Sequence, residues 1–100
     1  MPKRFRNNKV ALHAELRDDS RFAADYLNAA LEESDQLFLR ALRDVAEAYK
    51  MARVANEAGL SRESLYRTLS EEGNPRLSSL LGILRAVGVK IRFASAQSAS

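Results

Sequence analysis

The 100-residue chain has no cysteine and no tryptophan, a single histidine, two prolines and four glycines. Without cysteine there is no disulfide, thiol nucleophile or thiolate metal ligand, a composition that suits a reducing compartment and leads us to expect a cytoplasmic protein. His13 alone cannot build a serine triad or a Cys–His pair, and a zinc site would have to rely on carboxylates. It reads as a surface or edge residue. Gly73 and Gly88 are isolated, so no glycine-rich loop is available to cradle a phosphate. No apolar run approaches the roughly 18 residues of a membrane span, and the basic start lacks the uninterrupted apolar core of a secretory signal. These absences predict a protein with no enzymatic activity, cofactor, metal or membrane contact.

What is present is charge, and its distribution says more than its sum. The net charge is +3, but residues 1–17 carry +4, residues 18–58 carry −4 and residues 59–100 carry +3. Basic ends suit a polyanion and an acidic middle suits a basic protein partner, although the same charges also serve as solvated helix faces. An apolar fraction of 46% with 29% charged residues is ordinary for a globular chain, and this length supports one core.

The most informative stretch covers residues 54–69. Two short helices crossing at a large angle need a small residue at the contact, a turn residue tolerating positive φ, and inward apolar positions. Ala55, Gly59, Leu60 and Leu65 supply these in order, with Val54, Ala58 and Leu69 extending the buried stripes. Ser61 stands where the second helix begins and can accept a hydrogen bond from the Ser64 N–H. The stretch therefore reads as a helix-turn-helix.

Along the rest of the chain, residues 1–8 read as a mobile basic arm. Val10, Leu12, Ala14 and Leu16 alternate with Ala11, His13 and Glu15, the period of a short strand, though a helix is also compatible with so short a run. Asp18, Asp19 and Ser20 offer N-caps for a helix whose stripe is Ala23, Tyr26, Leu27, Ala30 and Leu31, with Asp25, Asn28, Glu32 and Glu33 outward. Ser34 caps the next, with Phe38, Ala41, Leu42, Val45 and Tyr49 inward. A turn over residues 70–75 leads to a helix capped by Asn74 or Ser78, apolar at Leu77, Leu80, Leu81, Leu84 and Val87, and ended by Gly88. Val89, Ile91 and Phe93 alternate with Lys90 and Arg92, which predicts a short strand that pairs with residues 10–16, with its copy in a second subunit or with a partner's sheet. The tail is small and polar.

A helix fits the DNA major groove, and the first residues of the second helix approach base edges. Arg62, Glu63 and Arg67 are the candidates for sequence reading, since arginine binds guanine bidentately and glutamate accepts from cytosine. Ser61, Ser64 and Tyr66 are candidates for supporting contacts to phosphate. One such helix spans few base pairs, so two half-sites roughly 34 Å apart and a homodimer are expected. Ile91 and Phe93 are the candidate dimer interface.

The chain resembles the probable addiction-module antidote proteins, antitoxins whose DNA-binding part is of the phage-repressor and Cro type. The resemblance runs from about Ala24 to Phe93 and rests on DYLNAALEE at 25–33, ALRDVA at 41–46, GLSRESLY at 59–66 and EGNPR at 72–76. Lys50 departs from it, since the family tends to place glycine before the second helix, and so does the long basic amino terminus. The resemblance implies a bacterial antitoxin that neutralises a small basic RelE-like or ParE-like toxin and represses its own operon by binding double-stranded operator DNA. A stand-alone helix-turn-helix regulator without a toxin is the alternative, and a helical interaction module that no longer touches DNA is a weaker third. The expected fold is mainly α, a compact bundle of about five helices containing a lambda-repressor-like helix-turn-helix. A short C-terminal strand and an optional N-terminal strand accompany it. Residues 1–18 form the arm, 19–93 the helical domain and 94–100 a disordered tail.

Overall fold

A computed structural model describes residues 8–70 and 72–97. Residues 1–7 of the expected arm, Glu71 and residues 98–100 of the expected tail lie outside the described residues. Six α-helices and no strand occur among those described. They are α1 (Asn8–Asp18), α2 (Ser20–Glu33), α3 (Asp35–Ala48), α4 (Met51–Ala58), α5 (Arg62–Thr68) and α6 (Leu77–Ala86).

The expected N-terminal strand is a helix. Alanine at 11 and 14 satisfies a two-residue period and a helical one equally, and Ala, Leu, Glu and Arg all favour helix. In α1 Leu12 and Leu16, one turn apart, pack into the core; Leu16 is fully buried while Val10 is 72% exposed. The expected C-terminal strand is absent too. Residues 89–93 are neither helix nor strand, and residues 10–16 lie in α1, so the two segments form no ladder with each other.

Local chemistry sets the other boundaries. Asp19, in extended conformation, accepts from the backbone N–H groups of Arg21 and Phe22 at 3.0 and 3.2 Å and starts α2. Ser34 alone separates α2 from α3: its N–H donates to Ala30 O at 3.1 Å, and its hydroxyl accepts from Leu37 N at 3.0 Å. No side chain caps α6. The residue before a proline is held extended, and Arg76 is itself extended, so the helix enters at Leu77 from Arg76 rather than from Asn74 or Ser78.

Two helices end in the same device. Gly59 and Gly88 take φ of +74° and +76°, and each is followed by a bond back into the helix, Leu60 N to Ala55 O at 2.8 Å and Val89 N to Leu84 O at 2.9 Å. With the glycine N–H bonds to Asn56 O and Arg85 O, these are Schellman closures. Lys50, just past the end of α3, also has a positive φ, with a side chain attached. Its φ of +76° with ψ of 114° is a conformation that costs a residue with a Cβ about 1–3 kcal/mol.

The core gathers around α3, which packs against α1, α2 and α4, while α4 packs against α6. Leu16, Leu42, Val45, Val54, Leu65, Leu69, Ile83 and Val87 are fully buried, so five of the helices or their ends meet in one cluster with no buried polar residue in it. Two polar ties flank this cluster. Tyr26 donates its phenol proton to Asp44 Oδ2 at 2.7 Å, and Tyr49 donates to Arg17 O at 3.2 Å, joining the ends of α3 and α1. No helix among the described residues is long and apolar enough to cross a membrane.

Candidate nucleic-acid interface

α5 is only seven residues long, and an isolated helix of that length is unstable in water. Two features hold it. Leu65 and, one turn on, Leu69 are buried in the core. At its start Ser61 is extended, and its hydroxyl oxygen accepts from Ser64 N at 3.0 Å while the hydroxyl donates to Ser64 Oγ at 2.9 Å. The bond anticipated from the sequence is thus the one that sets the first turn.

With Leu65 and Leu69 inward, the opposite side of α5 is free. Ser61, Arg62, Glu63 and Arg67 are exposed together, whereas Ser64 and Tyr66 lie half-buried at the edge. Ser64 is engaged with Ser61, and the Arg43 guanidinium of α3 lies over the Tyr66 ring, 5.3 Å from its centre. Tyr66 is therefore wedged between helices with one face covered by a cation.

Arg43 belongs to a cluster that the sequence reading missed. Glu47, one turn after it on α3, has a carboxylate 3.4 Å from Arg43 Nε, 3.8 Å from Lys9 Nζ and 3.6 Å from His13 Nε2. The signal was the spacing: Lys9 with His13 and Arg43 with Glu47 are both i,i+4 pairs, visible as such only once both segments are known to be helices. His13, Asp44 and Glu47 bring potential ligand atoms within 4.8 Å of one another. Those carboxylates are already committed, Asp44 to Tyr26 and Glu47 to cations, which makes the group an ion-pair cluster rather than a prepared metal cage. Burial, and then the bond and negative charge of Asp44, push the Tyr26 phenol above its ordinary range, so it stays protonated and keeps donating.

Two other surfaces stand apart from α5. Asp25, Glu32, Glu33 and Asp35 are exposed on α2 and the start of α3. An apolar groove of about 400 Å³ runs between α2, α3 and α6, with Leu27, Leu31, Phe38, Leu80, Leu84 and Ile91 on its walls. Beyond it Phe93 is 96% exposed.

Comparison with known proteins places the chain in a family. A relative from Haemophilus influenzae, described as an uncharacterized protein, is 40% identical over 68 residues, covering 67% of this chain and 70% of its own length. No solved structure is a significant match. The sequence profile described as "Probable addiction module antidote protein" matches residues 8–95, from the start of α1 to beyond the α6 closure, and the chain belongs to that family.

Proposed function

We propose that the protein is the antitoxin of a type II toxin–antitoxin module, which neutralises a small basic RelE-like or ParE-like toxin and represses its own operon by sequence-specific DNA binding. In this reading α4 and α5 are a helix-turn-helix, and α5 is its reading helix. The observation that carries the DNA part is the division of α5 into a buried side, Leu65 with Leu69 beyond, and an exposed side bearing Arg62, Glu63 and Arg67. Such a helix offers bidentate arginine donors and a carboxylate acceptor to base edges, while Ser61, Ser64 and Tyr66 support it toward phosphate. The toxin part rests on the family and on the acidic face of α2 and α3, which complements a basic protein. A homodimer spanning two half-sites, joined through Ile91 and Phe93, completes the reading. No enzymatic step, cofactor or metal is assigned to it.

A shift assay on the fragment upstream of its own gene tests the DNA part. Arg67→Ala lowers affinity by about 5- to 150-fold, or roughly 1–3 kcal/mol, without a change in melting temperature. Full affinity in the variant overturns the role of α5. Co-purification with the neighbouring gene product tests the other part. Charge reversal at Glu32, Glu33 and Asp35 weakens that complex, most strongly at low salt; binding unchanged across salt concentrations removes the acidic face from the interface.

A further inference from the structure

Lys9 and His13 lie one turn apart on α1, and both face Glu47 near the end of α3. They line a cleft of about 430 Å³ that also takes in Lys50, before α4, and Arg62 and Tyr66 on α5. Among the described residues, Lys9, Lys50 and Arg62 thus converge from three parts of the chain on a pocket whose lining holds one carboxylate, Glu47. That carboxylate is shared with Arg43 at 3.4 Å, so the cleft keeps an excess of positive charge. Lys9 is held only loosely there. Its amine is 3.8 Å from Glu47 and its side chain is 73% exposed, which leaves it able to reach a ligand at the cleft mouth. Lysine ammonium groups serve phosphate as mobile point charges. The cleft adjoins the first turn of α5, where a duplex backbone passes when a helix enters the groove beside it.

We propose that α1 is a second DNA-binding element of this chain, in which Lys9 and Lys50 hold one backbone phosphate at the rim of the groove that Arg62 faces. The proposal rests on the DNA-binding reading of α5 and adds to it a contact that sets the register of the reader without reading bases. Glu47 is a positioning residue in this scheme. It stores Lys9 against α3 and gives it up when phosphate arrives.

The experiment is fluorescence anisotropy of a labelled duplex from the protein's own promoter, titrated across a salt series with the full-length protein. Lys9→Gln reduces the slope of log K against log salt by about 0.9, which is about an eightfold loss of affinity at 0.1 M if the curves converge near 1 M. Lys9→Arg restores the slope. Glu47→Gln separates binding from folding: if Lys9 only anchored α1, losing Glu47 would weaken DNA binding as well. With Lys9 released to the phosphate, Glu47→Gln instead tightens binding about two- to fivefold. A Lys9→Gln slope equal to wild type, with Arg67→Ala still weakened, overturns the role of α1 and leaves the reading helix standing. Wild type and Arg67→Ala binding alike overturns both, as does a Glu47→Gln loss matching that of Lys9→Gln for the α1 contact alone.

Discussion

The two halves of this small bundle are built by different means. α1 to α3 are helices of 11, 14 and 14 residues, with α2 and α3 started at Asp19 and Ser34 by side-chain caps and tied by Tyr26 to Asp44. α4 to α6 are 8, 7 and 10 residues long, and positive φ at Lys50, Gly59 and Gly88 marks their boundaries. The first half is shaped by side chains and carries the acidic face. The second is shaped by backbone turns together with the Ser61 cap, which aim a short polar helix at solvent. A helix as short as α5 draws its order from Leu65 and Leu69 in the shared core, so the presenting half depends on the scaffold half.

The largest expected effect tests that dependence. Leu42, fully buried on α3, sits at the centre of the scaffold half. Leu42→Ala costs about 2–5 kcal/mol from lost burial and the cavity left behind. Urea unfolding followed by far-UV circular dichroism should show one transition, shifted as a whole. A second transition surviving at the wild-type midpoint would mean that α4 to α6 fold on their own. Tyr26→Phe is the next largest, at about 1–2 kcal/mol, because it strips the half-buried Asp44 of its phenol donor. It also changes the pH profile. The phenol's pKa is raised in the folded state, so its contribution is complete below the unfolded value of about 10 and fades as pH rises beyond it. Wild type therefore loses stability above about pH 10 by a route that Tyr26→Phe lacks, measurable as converging melting curves.

The presenting half was the more legible in the sequence. Ser61, Gly59 and Leu65 act on neighbours within five residues, so spacing alone carried the cap, the turn and the buried position. The scaffold half yielded its α2 and α3 stripes for the same reason, except at Leu31, which is 50% exposed. Residues 10–16 misled because alanine fits both periods, and residues 89–93 because a strand depends on a partner elsewhere. The cluster around Glu47 was invisible: it joins Lys9 and His13 to Arg43 across more than half the length of α1 to α3, and only tertiary packing brings them together. Gly82, inside α6, lies against Ala58 of α4, a neighbour that spacing along the chain does not show.

Lys50 and Gly82 sharpen the contrast from the other direction, since both changes should stabilise the presenting half. Lys50→Gly relieves a strained φ of +76°, worth about 1–3 kcal/mol, against about 0.5–1 kcal/mol of added chain entropy. The net gain is about 1 kcal/mol, seen as a rise in melting temperature. By the α1 proposal this same variant weakens DNA binding, so stability and affinity part company at one residue.

The smallest effect is at Gly82. A Cβ built there would meet Ala58 of α4 at 3.5 Å, ordinary van der Waals distance. Alanine therefore fits, but a larger side chain would wedge α6 from α4. Glycine inside a helix costs about 0.5–1 kcal/mol relative to alanine, and Gly82→Ala should return that amount as a higher urea midpoint with an unchanged slope. Because Gly82 faces α4 rather than solvent, DNA affinity should stay at the wild-type level. A loss of stability instead would mean that the α4–α6 contact has no slack for one methyl group, and that close packing at Ala58 helps to set the angle at which α5 is presented.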